Sequence, residues 1–231
     1  VRDVGGNFIV VRVDNESSGY FEASVDVISR GECGTTSTAP DPLLDWVYCG
    51  RTEKDICKPL PEPPSTHRKK WFRWLAHYLC LFGVNRNSLY ALVDTQSNKV
   101  VAATVVGPPR TIPFDRSADE MGRNLRKPVG GMEFAIDVLA NNLRMKSLGI
   151  WQHKHLPGDG FGDFLYVSIF ATAPGYQGRG CGSLLIQFLG DLADVDGVES
   201  YLETAGVRNT AFYSNKGGYE VIHQSNIAGF K

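Results

Sequence analysis

The sequence predicts a single domain of the α/β (α+β) class, residues 1–231, in which the strands of one sheet are interleaved with helices. Segments rich in β-branched and aromatic residues, such as 8–13 and 164–172, indicate strands. Other segments, such as 67–83, have apolar residues at helical spacing. A length of 231 residues, 42% of them hydrophobic, suits one domain with its own core.

Charge and cysteine content narrow the class of protein. The formal net charge is only −1, so no overall positive field steers the chain to nucleic acid or to an anionic membrane, and neither is expected as a partner. The cysteines are odd in number and irregularly spaced, which favours free thiols in a reduced, cytoplasmic setting over a disulfide framework. They are Cys33, Cys49, Cys57, Cys80 and Cys181.

The N-terminal part is predicted to contain a strand, two helices and a loop. Residues 8–13 form the strand, and residues 18–31 form a helix that ends at a glycine. Asp41 is a good N-cap residue and Pro42 suits the first position of a helix, so a short helix is expected to begin there. Prolines then predict an irregular loop at 49–66.

A longer helix and a hairpin follow. Apolar side chains recur at helical spacing within 67–83, and Gly83 suits the position just after the helix end. The core-facing residues are expected to be Trp71, Trp74, Leu75, Tyr78, Leu79 and Phe82. Residues 89–94 and 99–106 flank a turn and are predicted as the second and third strands.

Residues 110–161 form an insertion that is longer than a strand connection requires. Met132, Ile136, Leu139 and Leu143 fall at helical spacing, which predicts a largely helical segment. His153 and His155 lie near its end, but a two-residue spacing without a third ligand does not define a metal site. No metal is expected.

The most informative stretch is a glycine-rich turn between a predicted strand and a predicted helix. Gly178, Gly180 and Gly182 alternate at the helix start, where glycine permits a positive φ and the first N–H groups have no intrahelical acceptor. Such a turn suits a phosphate or pyrophosphate. It is not a mononucleotide P-loop, because Cys181 stands where that loop has lysine, and its spacing is not that of a dinucleotide fingerprint.

The turn does fit the pattern Gln/Arg-x-x-Gly-x-Gly/Ala, read from Gln177, and resembles the acetyl-CoA pyrophosphate loop of the GCN5-related N-acetyltransferase (GNAT) superfamily. A second segment fits the Asn-x-x-Phe-Tyr-x-x-x-Gly-Phe/Tyr pattern of the same superfamily. It is formed by Asn209, Phe212, Tyr213, Gly217 or Gly218, and Tyr219. This segment looks most like the puromycin N-acetyltransferase-like branch, and the resemblance covers residues 162–224.

The resemblance implies a twisted, mixed and mostly antiparallel sheet flanked by helices, with strands 162–172 and 198–204 splayed around acyl-CoA. It makes 162–224 the acetyl-CoA-binding core and 110–161 a wall of the acceptor pocket. Acetyl-CoA is then the acyl donor, used without a metal. The residues expected to bind it are Phe170, Ala171, Thr172, Gln177, Gly178, Arg179, Gly180, Cys181, Gly182, Ser183 and Asn209.

Two catalytic residues are expected, Tyr213 from the same resemblance and Glu203 because an ammonium must lose a proton to a base or a water chain before it can attack. Tyr213 lies beside the thioester sulfur and serves as the general acid for the departing thiolate, on a helix 210–216 that Asn209 caps. Glu203 is the carboxylate expected to act as the base, although a structural or hydrogen-bonding role is open to it as well. Strand alternation places Glu203 on the face of Tyr201.

The predicted function is direct transfer of an acetyl group from acetyl-CoA to the amine of a small molecule, by a monomer or homodimer. Two alternatives stay open: N-acetylation of a protein or peptide, and a non-catalytic acyl-CoA-binding regulatory subunit. The sequence identifies neither the acceptor nor the acyl chain length.

The two ends of the sequence carry a further expectation. Residues 219–224 read as a strand, after which the superfamily normally has another strand, whereas only seven residues follow here. Val1 stands first where a complete chain has Met. Both features would suit a fragment or a processed chain, with a last strand supplied from elsewhere because an exposed edge invites pairing.

Overall fold

The computed structural model describes residues 1–49, 60, 62–109 and 163–224. Most of the predicted loop 49–66 and the whole predicted helical insertion 110–161, with its two histidines, lie outside the described residues. The described part holds one sheet with helices on both faces.

Six strands form the sheet, and they lie side by side in chain order. They are β1 (Arg2–Asp3), β2 (Phe8–Arg12), β3 (Leu89–Asp94), β4 (Lys99–Gly107), β5 (Phe164–Thr172) and β6 (Glu199–Tyr201). Neighbours are antiparallel except β5 and β6, which are parallel. The predicted mixed, mostly antiparallel sheet is confirmed. The predicted hairpin supplies its third and fourth strands rather than the second and third, because the two-residue β1 precedes them.

Five helices flank the sheet within the described residues. They are α1 (Gly19–Cys33), α2 (Pro42–Cys49), α3 (Thr66–Asn85), α4 (Cys181–Asp196) and α5 (Val207–Gly217). Asp41 caps α2 as predicted, since its Oδ1 accepts the Leu44 N–H at 2.9 Å. The predicted end of α1 is wrong: the helix passes Gly31, where a Cβ would lie 2.9 Å from the Ala171 Cβ. That glycine serves close packing of the helix on the sheet.

The helices build a core on each face of the sheet. Side chains of α1 and α3, such as Phe21 and Phe72, pack on one face, and side chains of α4, such as Leu185 and Leu189, pack on the other. The apolar stripe predicted for α3 faces the first of these cores. Gly83, however, lies inside α3 rather than after it. A Cβ there would meet the Leu89 Cβ at 3.0 Å, so a glycine is needed where the helix crosses the sheet.

A bulge in β5 decides which side chains face which core. Val105 pairs with Ile169, and the next residue of β4 pairs with Val167, so Ser168 is left unpaired. Before the bulge Leu165 and Val167 face α4, whereas after it Ile169 and Ala171 face α1 and α3. The residues between them therefore change faces at the same point.

Beyond the bulge, β5 and β6 separate. Their parallel pairing ends at Tyr166 and Tyr201, while β5 continues to Thr172. The result is a cleft between the second half of β5 and the chain that follows β6. Two sequence expectations are corrected here: the strand predicted at 198–204 is only three residues long, and residues 219–224 form no strand. Gly218 turns the chain with φ 70°, and the Tyr219 ring packs against the α4 side of the core instead.

Candidate active site

The cleft ends in the glycine-rich turn that joins β5 to α4. Gln177 braces this turn, because its Nε2 donates to the Thr172 carbonyl at 3.3 Å. Gly178 and Gly180 adopt φ of 75° and 84°, and a Cβ built on either would have nothing within 4 Å. Gly182 differs, since a Cβ there would lie 3.2 Å from Thr172 Oγ1. Two of the glycines set the backbone of an open turn, and the third permits close packing.

The start of α4 is suited to an anion. Gly180 is its N-cap, no side chain caps it, and its first turn carries no acidic residue. The first N–H groups of a helix lack intrahelical acceptors and carry the positive end of the helix dipole. Cys181 is 1% exposed and burial raises the pKa of its thiol, so this residue offers its backbone rather than its sulfur. Arg179 lies nearby, 5.3 Å from the Tyr176 ring centroid.

The backbone of β5 also offers donors to the cleft. The Ala173 N–H donates to the Val101 carbonyl of β4 at 2.9 Å. Since successive residues of a strand point their N–H groups to opposite sides, Ala171 also faces β4, whereas Phe170 and Thr172 face the cleft. Of the 170–172 segment, Phe170 and Thr172 therefore direct their N–H groups to the cleft, and Ala171 does not.

Helix α5 forms the opposite wall, and its start corrects one prediction. Asn209 does not cap it, because the N-cap is Gly206, with φ 83°, and the helix begins three residues earlier than predicted. Asn209 instead donates from Nδ2 to Asp41 Oδ2 at 3.2 Å. A Cβ on Gly206 would lie 3.2 Å from Pro42 Cγ. The N-terminus of α2 therefore contacts the start of α5 across the cleft.

Tyr213 lies on this wall among aromatic rings. Its ring centroid is 6.1 Å from that of Phe170, 5.1 Å from Phe212 and 5.9 Å from Tyr219. Burial, and then the nearby Glu32 and Asp41, raise the pKa of Tyr213, so the phenol stays protonated at neutral pH. The structure gives its hydroxyl no hydrogen bond to any described residue, which leaves the group able to donate to a ligand.

Two carboxylates near Tyr213, the buried Glu32 and the half-buried Asp41, were missed as site residues by the sequence reasoning. Burial raises the pKa of Asp41 to about 6, although the N–H groups of Leu44 and Leu43 and the Asn209 amide oppose the shift. Burial, and then the Asp41 charge, raise the pKa of Glu32 well above its ordinary value. The only sequence signal was the Asp-Pro helix start, which indicated a cap. The pair arises because α1, α2 and α5 meet here, which no local pattern shows.

Glu203 occupies a different part of the cleft, at its closed end. Its Oε2 accepts the Tyr166 hydroxyl at 2.7 Å. Burial, and then the Glu203 charge, raise the pKa of Tyr201. Glu203 thus shares a face with Tyr201 as predicted, while Leu202 packs on the opposite face with α4. Phe170, beside Tyr213, lies four residues beyond Tyr166 along β5.

The described part of the chain forms neither a metal cluster nor a membrane-spanning helix. Within residues 1–49, 60, 62–109 and 163–224, no group of three or more His, Cys, Asp and Glu side chains could hold a metal ion. None of the helices in those same ranges is both long and apolar enough to span a membrane.

Comparison with known proteins identifies the fold. No protein-family model matches the chain, and no curated protein does. Arylalkylamine N-acetyltransferase 2 of Aedes aegypti matches with a TM-score of 0.54 at 13% identity, over 92% of this chain and 82% of that one. An agmatine N-acetyltransferase matches with a TM-score of 0.47 at 17% identity, over the same shares. A polyamine N-acetyltransferase of Drosophila melanogaster matches with a TM-score of 0.43 at 15% identity, over 94% of this chain and 84% of that one.

The mosquito structure shows that the chain has the GNAT fold, as the two sequence segments predicted. At 13% identity the likeness extends to the fold alone.

Proposed function

We propose that this chain is an acyltransferase that transfers an acetyl group from acetyl-CoA directly to the amine of a small molecule. A relation to the puromycin N-acetyltransferase-like branch, suggested by the 201–219 segment, is part of the proposal. One observation supports it: a helix start suited to an anion and a protonated phenol, without a hydrogen bond to any described residue, line the same cleft between β5 and α5.

The described residues fit coenzyme A. The N–H groups of residues 178–183 would hold the pyrophosphate, because Gly178 and Gly180 leave the approach to the turn open. Gln177 and Arg179 would support the turn, and Phe170, Ala171 and Thr172 would line the pantetheine arm. Acetyl-CoA supplies an activated acyl group when bound, and the remaining steps are carried by the chain's own residues.

Two groups would act on the thioester itself. The Phe170 N–H faces the cleft and would stabilise the developing charge on the acyl oxygen. Tyr213 would donate to the departing thiolate. Its raised pKa favours a hydrogen bond over complete proton transfer, although the same burial would also raise the pKa of the thiol.

An ammonium must lose a proton before it can attack the acyl carbon, so a base is required. Asp41 is the better placed candidate, since its pKa of about 6 makes it a proton acceptor at neutral pH and it lies close to Tyr213. Glu203 is the second candidate, farther along the cleft beside Tyr166. Asn209 would hold Asp41 in place rather than contact the cofactor.

The test is release of free CoA thiol from acetyl-CoA across a panel of small amines, aminoacyl analogues and peptides. The proposal predicts release that depends on a small amine and gives the N-acetylated amine in equal amount. Release with peptides alone would favour the protein-acetylating alternative. Silence across the panel by a chain that binds CoA would contradict catalysis and favour the regulatory-subunit alternative.

A further inference from the structure

A buried ion pair lies one helical turn from Asp41. Arg68 Nη1 is 2.5 Å from Asp45 Oδ1, and the exposed fractions of these two residues are 6% and 0%. The Asp45 N–H donates to the Asp41 carbonyl at 2.9 Å, which closes the first turn of α2. The pair therefore adjoins the residue that is proposed as the base.

Arg68 connects three helices. It lies in the first turn of α3, and its Nε donates at 2.8 Å to the carbonyl of Cys33, the last residue of α1, while its Nη1 contacts Asp45 in α2. Because a guanidinium is a planar fork with donors in a fixed geometry, these two contacts hold the end of α1 and the start of α2 in one arrangement. The residue before Cys33 is Glu32, whose carbonyl accepts the Asp41 N–H at 3.3 Å. Arg68 therefore acts where Glu32 and Asp41 are brought together.

The guanidinium of Arg68 is shielded from water by aromatic rings. Its Cζ lies 5.1 Å from the ring centroid of Tyr48 and 4.8 Å from that of Phe72. Charges in such surroundings are screened less than surface charges, so they act over a longer distance. A buried cation lowers the pKa of a nearby carboxyl, because it favours the charged form. Asp45 places an opposite charge in direct contact with this cation.

The balance of charge in the pair bears on Asp41 as a base. Burial is the main reason that the pKa of Asp41 rises to about 6, and the Asp45 charge adds to the rise. The other titratable and charged groups around Asp41 are Glu32 at the end of α1, Tyr213 on α5, and Arg68 behind Asp45. If Asp45 carried no charge, the charge of Arg68 would act on Asp41 without opposition from Asp45 and would make Asp41 a weaker base.

We propose that Arg68 and Asp45 are positioning residues for Asp41: Arg68 fixes the start of α2 against the end of α1, and Asp45 prevents the charge of Arg68 from acting on Asp41. The role of Asp41 as base rests on the proposed function. The effect of the ion pair on Asp41 is a property of the chain without substrate, so it can be measured whether or not the chain transfers an acetyl group.

The test follows the backbone amide of Leu44 by NMR as the pH changes, without substrate. The Leu44 N–H donates to Asp41 Oδ1 at 2.9 Å, so its chemical shift reports the titration of that carboxyl. Asp45→Asn should lower the titration midpoint by about one pH unit, because the charge of Arg68 is then unopposed, and Arg68→Met should raise it. The double variant should return the midpoint most of the way to that of the wild type. Arg73→Met, which removes an exposed arginine of the same helix, is the matched control and should leave the midpoint unchanged.

Arg68→Lys separates positioning from charge. Lysine keeps the positive charge but cannot bond Asp45 and the Cys33 carbonyl in the geometry of the guanidinium fork. We expect kcat per folded molecule to fall about tenfold or more, measured at saturating acetyl-CoA with the best acceptor of the amine panel, while the Leu44 midpoint stays near that of the wild type. A purely structural role would lower the yield of folded protein and leave kcat per folded molecule unchanged.

Two outcomes overturn the proposal: a Leu44 midpoint that Asp45→Asn leaves unchanged, or a double variant whose midpoint stays as low as that of Asp45→Asn. If Asp45→Asn does not fold, Arg68→Met decides, since a midpoint that does not rise in that variant also overturns the proposal. Failure of the proposed function is a distinct result. A wild type that acetylates no amine contradicts the proposed function, while the midpoints still decide whether the ion pair controls Asp41.

Discussion

Asp41 is a half-buried residue whose desolvated carboxylate lowers the stability of the fold at neutral pH. Its ordinary pKa of 3.8 rises to about 6 in the folded chain, so the folded state binds the proton more tightly than the unfolded state. Stability therefore falls as the pH rises from 3.8 to about 6 and stays lower above that. Each unit by which the pKa is raised corresponds to about 1.4 kcal/mol of lost stability at neutral pH. A carboxylate that destabilises the fold in this way points to a functional role.

Asp41→Asn tests this reasoning, since asparagine caps a helix as well as aspartate does. We expect the variant to be more stable than the wild type by about 1 to 3 kcal/mol at pH 8, because the buried charge is gone, and to lose that advantage at pH 4. Urea unfolding at the two pH values measures the difference. If the variant were less stable than the wild type by the same amount at both pH values, the lost contact with Asn209, and not the charge of Asp41, would decide its stability.

Asp41→Asn also tests whether Asp41 is the base that takes the proton from the acceptor amine. Asp41→Asn should lower kcat by about 10²-fold or more, the range typical of a lost proton acceptor. The wild-type rate should rise with pH through a pKa near 6, the value at which Asp41 loses its proton. A pH profile flat between 5 and 8, with kcat preserved in the variant, would return the role of base to Glu203.

Tyr213 has its own test. Tyr213→Phe removes the hydroxyl and keeps the ring, so we expect kcat to fall by about 10²-fold while CoA affinity stays near that of the wild type. Tyr219→Phe is the matched control, since it removes a neighbouring phenol that bonds Ser200 at 2.6 Å. The control should cost about 1 kcal/mol of stability and little activity. Equal kcat in wild type and Tyr213→Phe at saturating acetyl-CoA would make Tyr213 a packing residue.

Among the elements, α3 contains Gly83 and α4 contains Gly190 in its interior. Replacing each glycine by alanine should change the stability of the fold in opposite directions. Gly83→Ala places a Cβ 3.0 Å from the Leu89 Cβ and 3.2 Å from the Leu89 backbone nitrogen, so we expect a loss of about 1 to 3 kcal/mol from overpacking. Gly190→Ala meets nothing within 4 Å and should gain about 0.5 to 1 kcal/mol from helix propensity. Urea unfolding of the two variants measures these changes in stability. Changes of the same sign and size in both variants would contradict the expectation.

At the scale of the whole molecule, local sequence patterns predicted the features whose conformation is set by residues nearby in sequence. The Asp41 helix start, the β3–β4 hairpin and the glycine-rich turn are of this kind, since each is set by residues close together in sequence. Gly83 was misread because a glycine near a helix end also suits close packing on a sheet.

The parts that sequence did not reveal depend on contacts between distant segments. Asn209 follows a strong cap pattern, yet Gly206 starts the helix and the amide bonds Asp41, which is 168 positions away. The Glu32–Asp41 pair arises in the same way from three separate helices. Helix propensity predicts neither the Asn209–Asp41 contact nor the Glu32–Asp41 pair, because tertiary packing decides which residues come together.

Calorimetric titration with CoA measures whether the turn between β5 and α4 holds coenzyme A. Gly180→Val forces a β-branched residue into φ 84° and fills the open approach to the turn, although its Cβ would have nothing within 4 Å. Gly190→Val adds the same side chain to the same helix at an ordinary φ, and is the control. We expect CoA binding to be abolished in Gly180→Val and retained in Gly190→Val, with circular dichroism largely unchanged in both. Unchanged CoA affinity in a folded Gly180→Val variant would contradict it.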